Sequence, residues 1–274
     1  MRPQAVFRAA YAIGASTLRH PVDFVRYIAR QAVVYERYRL VRRDAIDQVV
    51  DSVVEQRLRP FLESPPTRLL PQRTADDIAA KDVRGDERFL GTGDGSELPE
   101  HEQRVVARIV TDRRPIAAFE IGTYRGRTTR LLASCSPAAT IHTLDLPPDN
   151  MLEGGCFREW NPGLIGTQFS ADHVVRSRIL QHFGDSRTFD FTPFWGRMDM
   201  VFVDASHAYE AVLSDSRQAF RMIRPGGLII WDDYHPVHGI GVMKALSELS
   251  DEQPIAWIRG TRLAIHYANV LTDD

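Results

Sequence analysis

The chain has 274 residues, of which 43% are hydrophobic and 26% charged. It is therefore too apolar to be disordered and long enough to bury a substantial core. Its net charge of −2 excludes the positive field that general nucleic-acid binding requires. Two cysteines, Cys135 and Cys156, are too few for a disulfide framework, and no apolar run reaches about 18 residues. These features predict a cytoplasmic protein without a membrane span.

The N-terminal residues 1–64 are predicted to form a basic helical extension. Residues 1–43 carry nine arginines against two acids, and apolar residues recur at helical spacing in 25–32 and 46–53. Such helices pack on a main domain, dock a protein partner or a second copy of the chain, or lie on an anionic membrane surface, and the residues leave these readings open. Residues 65–98 are rich in proline and glycine, which predicts a linker or covering loop.

From residue 99 to 274 the pattern predicts a second domain of alternating strands and helices. Apolar runs at 117–121, 140–145, 198–204 and 228–231 alternate with helical stretches, and a closing antiparallel pair is expected at 255–258 and 263–267. This alternation predicts an α/β fold with a mostly parallel, doubly wound sheet. Ligands of such sheets bind beyond the carboxyl ends of the strands, where several acidic residues stand here.

The turn after the first predicted strand indicates the class of ligand. Gly122 and Gly126 permit a tight turn, but their spacing is not the GxGxxG of a dinucleotide site. Asp145 ends the next strand, where a carboxylate can accept hydrogen bonds from ribose hydroxyls. Asp185 and Ser186 follow a third strand and can meet the edge of adenine. Together these residues favour a nucleoside ligand without a pyrophosphate.

Five segments in this order resemble the class I S-adenosylmethionine (SAM) dependent methyltransferases, in the branch of bacterial small-molecule O-methyltransferases. They are Phe119–Thr129, Thr143–Pro147, Gly184–Asp190, Val203–Tyr209 and Arg224–Tyr234. The resemblance implies a seven-stranded Rossmann-like sheet, SAM as cofactor and a small-molecule acceptor such as a sugar or natural-product hydroxyl. It also implies a set of cofactor-binding residues: Glu120, Gly122, Thr123, Tyr124, Gly126, Asp145, Leu146, Asp185, Ser186 and Asp204.

The chemistry of methyl transfer to a hydroxyl needs a base or a metal ion near the acceptor. His207 has the side chain best suited to take a proton at neutral pH, so His207 and Asp204 are the predicted catalytic residues. Asp204, Asp232 and Asp233 follow neighbouring predicted strands and form a candidate site for Mg²⁺ or another divalent cation. His235 and His238 are alternative bases or ligands. Two other functions stay open: a non-catalytic SAM-binding adaptor, and an NAD(P)-dependent oxidoreductase.

Overall fold

The computed structural model describes residues 69–80, 98–148, 162–235 and 239–269. The predicted N-terminal helices lie outside these residues, as do most of the predicted linker and His238. The predicted domain boundaries therefore stay predictions.

Strands and helices alternate through the described residues. The strands are β1 (Gln72–Arg73), β2 (Ala117–Ile121), β3 (Thr140–Asp145), β4 (Ile179–Phe183), β5 (Met198–Val203), β6 (Ile223–Trp231), β7 (Ile255–Ile258) and β8 (Ala264–Tyr267). The helices are α1 (Ala75–Ile78), α2 (Glu100–Arg113), α3 (Arg127–Cys135), α4 (Thr167–Ser170), α5 (His173–Arg176), α6 (Tyr209–Met222) and α7 (Ile240–Leu249), with 3-10 turns at Pro162–Leu164 and Thr192–Phe194.

The strands form one sheet in the order β1-β7-β8-β6-β5-β2-β3-β4. All neighbouring strands pair in parallel except β8, which is antiparallel to both β6 and β7. The order reverses at β2, from which the chain runs to β3 and β4 on one side and later to β5 on the other. This arrangement confirms the predicted doubly wound, mostly parallel sheet and its antiparallel closing pair.

Alternating side chains of the central strands fill two cores on opposite faces of the sheet. Phe119 and Val201 belong to the cluster that includes α6 and α7, whereas Ala118 and Phe202 belong to the cluster that includes α2 and α3. Strands buried on both faces read as continuous apolar runs, as these do. No helix among the described residues is long and apolar enough to cross a membrane.

The sheet has eight strands, one more than predicted, because part of the predicted linker joins its edge. Gln72 and Arg73 pair in parallel with β7, and Leu70 and Ile78 are buried in the two cores. The Leu70 N–H also donates to the Tyr234 hydroxyl over 3.1 Å. A two-residue strand carries no alternating pattern, so the sequence did not reveal it. Residues 69–80 thus pack against the sheet and its two cores.

Candidate active site

The turn between β2 and α3 is built around two glycines with left-handed backbones. Gly122 has φ +104°, and a Cβ there would lie 1.9 Å from the backbone oxygen of Asp204. Gly126 has φ +81°, and a Cβ there would meet the buried ring of Phe169 at 2.4 Å. The absent side chains let this turn approach the end of β5 closely and let α3 start at Arg127. Both glycines predicted at the site are therefore required by the backbone itself.

Asp145, at the end of β3, holds the same turn from the neighbouring strand. Its Oδ2 accepts a hydrogen bond from the Tyr124 N–H over 2.6 Å, and its Oδ1 accepts one from the Leu146 N–H over 2.7 Å. Tyr124 has φ +46°, a conformation that this bond helps to maintain. Burial raises the pKa of Asp145, and the backbone donors oppose the shift. Each carboxylate oxygen retains a lone pair with which a ribose hydroxyl can bond.

The Glu120 carboxylate makes its hydrogen bonds inside the protein. Its side chain is fully buried, and its Oε2 accepts hydrogen bonds of 2.5 Å from the hydroxyls of Thr129 and Thr143. Thr143 in turn lies 2.7 Å from the Thr123 hydroxyl, so Thr123 also bonds within the protein. Burial raises the pKa of Glu120 to about 8, and its Oε1 has no hydrogen-bond partner among the described residues. Glu120 and Thr123, both predicted to bind the cofactor, thus take part in a buried hydrogen-bond network at the β2–α3 turn.

The segment after β4 carries the residues predicted to meet adenine. Asp185 accepts from the Arg187 backbone N–H at 2.9 Å, and its carboxylate pairs with the Arg187 guanidinium at 2.5 Å, which lowers the pKa of Asp185. Behind this segment lies Asp215 of α6, which is 1% exposed. Burial raises the pKa of Asp215 to about 6, and the nearby Ser186 hydroxyl opposes that shift. No sequence pattern indicated that Asp215 lies next to this segment.

At the ends of β5 and β6 the structure brings together Asp204, His207 and Asp233. One ligand atom from each of the three lies within 4.8 Å of the other two. The His207 Nε2 is 2.7 Å from the Asp233 Oδ2, and Asp233 has φ +56°. His207 was predicted as a base rather than as a member of the metal group. The structure places it beside both acids.

The Asp232 carboxylate makes its hydrogen bonds to Asp233 and Arg262. Its Oδ1 accepts from the Asp233 N–H over 2.6 Å, and its Oδ2 lies 3.5 Å from the Arg262 Nη2. The predicted trio of Asp204, Asp232 and Asp233 stays a prediction, and the group whose ligand atoms lie within 4.8 Å of one another is Asp204, His207 and Asp233. His235 is buried and is not part of the group of three.

Arg262 and Glu102 lie next to this group of side chains, and the sequence analysis predicted neither of them as a site residue. Arg262 lies in the β7–β8 loop, where its Nη1 is 3.1 Å from the Asp233 Oδ1 and its Nε is 3.1 Å from the Glu102 Oε2. Glu102 is 1% exposed. Arg262 and Glu102 are 160 residues apart. No sequence spacing therefore indicated that the two side chains pair.

The site carries an excess of buried negative charge. Burial raises the pKa of Asp204 well above its usual range, and the neighbouring carboxylates of Asp232 and Asp233 raise it further. Burial and Asp233 likewise raise the pKa of Asp232, while Arg262 opposes the shift. Carboxylates crowded in this way are stabilised by a proton or by a cation. The site is thus suited to a positively charged ligand.

Comparison with known proteins finds one matching family model. Residues 119–234 match the family described as "Methyltransferase domain". They span the chain from β2 to Tyr234 and contain the glycine turn, Asp145 and the group of Asp204, His207 and Asp233. No curated protein matches the chain.

Several solved structures are similar to parts of this chain. Cofactor-bound Rv0187 from MTB is 18% identical, with a TM-score of 0.47 over 65% of this chain and 86% of that one. SAH-bound PaMTH1 from Podospora anserina is 14% identical, with a TM-score of 0.47 over 84% and 97%. The O-methyltransferase TomG from Streptomyces achromogenes is 17% identical, with a TM-score of 0.47 over 78% and 99%. At these scores the likenesses carry no conclusion about function.

The glycine turn, the acid at the end of β3 and the reversal of strand order at β2 are all contained in the segment that matches the family. In sheets of this kind the strand ends at such a reversal are where ligands bind. Residues 119–234 of the chain thus match a methyltransferase domain.

Proposed function

We propose that this enzyme transfers the methyl group of SAM to a hydroxyl of a small molecule, such as a sugar or a natural product. The observation that carries the proposal is the 2.7 Å contact between the His207 Nε2 and the Asp233 Oδ2. It lies at the carboxyl edge of the sheet, beside Asp204, where ligands of this fold bind. A hydroxyl is a weak nucleophile until its proton is removed, so a positioned base favours oxygen as the acceptor atom.

The proton of the acceptor passes to His207. With the Nε2–H donating to Asp233, the basic lone pair of the imidazole is on Nδ1. Asp233 keeps the ring in this tautomer and stabilises the imidazolium that forms when the ring takes the proton. Asp204 lies beside this pair, and burial and the neighbouring carboxylates raise its pKa well above its usual range.

Four parts of the chain would hold the cofactor. Asp145 would accept from the ribose hydroxyls, while the backbone of the Gly122–Gly126 turn would approach the methionine part closely. Leu146 and the segment of Asp185 and Ser186 would border adenine. When bound, SAM supplies a methyl group on a positively charged sulfur, and the excess of carboxylates near Asp204 suits that charge.

A divalent cation fits the same group of side chains. Two carboxylates and one imidazole, each offering one atom, are typical ligands of Mg²⁺, Mn²⁺ and similar ions. We propose that Asp204, His207 and Asp233, rather than Asp232, would hold it. Bound there, it would activate the acceptor in place of His207, because it would lower the pKa of the acceptor hydroxyl and occupy the lone pair of the imidazole.

The choice between oxygen and nitrogen acceptors can be tested with two matched probes. Methyl-labelled SAM is incubated with the protein and 3,4-dihydroxybenzoate, and separately with 3,4-diaminobenzoate, each with Mg²⁺ and with EDTA. Methyl glucoside serves as a third, non-aromatic hydroxyl probe. We expect label on a hydroxyl probe and none on the diamine. Label on the diamine alone would contradict the proposal, as would a protein that binds SAM and labels none of the three.

A further inference from the structure

Arg262 stands behind the proposed base in a chain of charged contacts. Its guanidinium reaches Glu102 through Nε and Asp233 through Nη1, each over 3.1 Å, and the opposite oxygen of Asp233 contacts His207 at 2.7 Å. The order of groups is therefore Glu102, Arg262, Asp233 and His207. These residues come from α2, the β7–β8 loop and the ends of β6 and β5.

The backbone holds Arg262 in place as well. Its N–H donates to the Glu102 Oε1 over 2.6 Å, and its carbonyl oxygen accepts from the Tyr234 N–H over 2.7 Å. Glu102 thus binds both the main chain and the side chain of Arg262, while Tyr234 ties the loop to the residue after Asp233. The Arg262 side chain is 21% exposed, so these contacts are little screened by water.

The planar shape of the Arg262 guanidinium, more than its charge, fixes the orientation of the Asp233 carboxylate. The N–H donors of a guanidinium lie in one rigid plane. Here the three guanidinium nitrogens contact the carboxylates of Glu102, Asp232 and Asp233. A guanidinium anchored on Glu102 fixes the rotation of the Asp233 carboxylate, because Oδ1 must face Nη1. The Oδ2 then has to face His207. A lysine at 262 would supply the charge but could not make this set of directed bonds.

We propose that Arg262 is a positioning residue for methyl transfer: through Asp233 it holds the imidazole of His207 in the tautomer with the proton on Nε2. The inference rests on the proposed function, in which His207 is the base. Arg262 and Glu102 lie outside the residues 119–234 that match the family. The elements added around the shared segment therefore take part in the chemistry.

The test reads the tautomer directly, so it does not depend on finding the acceptor. The full-length protein is labelled with ¹⁵N-histidine, and the ring nitrogens are observed by NMR at one fixed pH, with His207 assigned from the His207→Asn spectrum. Arg262→Lys and Arg262→Ala are compared with wild type. Arg259→Ala is the control, because Arg259 is an exposed residue of the same loop. Circular dichroism and titration with S-adenosylhomocysteine (SAH) check the fold and the cofactor site.

We expect Nε2–H in wild type and in Arg259→Ala, and a mixture of tautomers in Arg262→Lys, with the SAH dissociation constant changed less than twofold. Turnover of a hydroxyl probe falls about 10-fold or more in Arg262→Lys, as for other residues that orient a catalytic group. Arg262→Ala leaves buried acids without their cation and can fail to fold; Arg262→Lys then decides. An unchanged His207 tautomer in Arg262→Lys overturns the proposal, as does a wild-type ring without Nε2–H. Absence of turnover in wild type would instead contradict the proposed function, and the tautomers would still decide the role of Arg262.

Discussion

The Asp233 Oδ2 lies 2.7 Å from the His207 Nε2, although the two residues follow different strands of the sheet. β5 and β6 are parallel neighbours, so the segments that follow them leave the same edge. Asp233 turns toward His207 through a left-handed backbone, with φ +56°, which a non-glycine residue adopts at some cost. This strained residue marks the candidate site.

His207→Asn tests the base. General-base catalysis contributes about 10²–10⁴-fold to a rate, so we expect kcat for a hydroxyl probe to fall at least 100-fold, with the SAH dissociation constant within twofold of wild type. The exposed His173 provides the control, and His173→Ala should retain full activity. Activity of His207→Asn within threefold of wild type would exclude His207 as the base.

Asp145→Ala tests the cofactor site. The substitution removes the acceptor of the Tyr124 and Leu146 N–H groups as well as the proposed ribose contact. A lost hydrogen bond to a charged group is worth about 1.5–3 kcal/mol, so the SAH dissociation constant should rise at least tenfold in calorimetry. Asp145→Asn keeps one acceptor oxygen and should lose less. An unchanged constant in Asp145→Ala would place the ribose elsewhere.

Gly122→Ala tests the close approach of two strand ends. A Cβ would lie 1.9 Å from the Asp204 backbone oxygen, so the free energy of unfolding should fall by about 3 kcal/mol or more in urea denaturation. Gly260 has a similar positive φ but no atom within 4 Å of its Cβ position. Gly260→Ala should therefore cost only about 1 kcal/mol. Equal losses in both variants would contradict the steric account.

Asp215→Asn tests whether the buried carboxyl of Asp215 makes the stability of the protein depend on pH. Burial raises the pKa of Asp215 from 3.8 to about 6, so the folded state holds this proton more tightly than the unfolded state does. Its contribution to stability is then full below pH 4 and is lost as the pH rises to about 6. The variant should be more stable than wild type by roughly 2–3 kcal/mol at pH 7, with no gain at pH 3.5. A gain that does not change with pH would rule out the titration of Asp215 as its cause.

Asp204→Asn and Asp232→Asn distinguish the two candidate sets of metal ligands. Mn²⁺ is titrated into each variant in the presence of SAH. Asp204 belongs to the group that contains His207, whereas Asp232 faces Arg262, so only Asp204→Asn should weaken Mn²⁺ binding by tenfold or more. The reverse result would restore Asp232 as a ligand. Absence of Mn²⁺ binding by the wild-type protein would leave His207 and Asp233 as the whole catalytic pair.

Local patterns predicted much of this protein. Continuous apolar runs ending in acids predicted the strands, and the two glycines with Asp145 predicted the turn that the structure builds. Such signals are short-range or lie at one edge of a parallel sheet, where topology alone brings strand ends together.

Other features depend on geometry that a sequence does not record. No sequence spacing shows that ligand atoms of His207, Asp204 and Asp233 lie within 4.8 Å of one another. Arg262 meets Glu102 through tertiary packing of α2 against the β7–β8 loop, and no periodicity connects them. The resemblance placed Glu120 among the cofactor-binding residues, and no sequence pattern showed that its buried carboxylate accepts hydrogen bonds from two threonine hydroxyls.

The most direct test of the account is calorimetric titration of the full chain with SAH, with NADH as the control ligand. The account predicts micromolar binding of SAH, no binding of NADH, and a loss of SAH affinity in Asp145→Ala. Binding of NADH without SAH, or of neither ligand, would contradict a SAM site at this edge of the sheet.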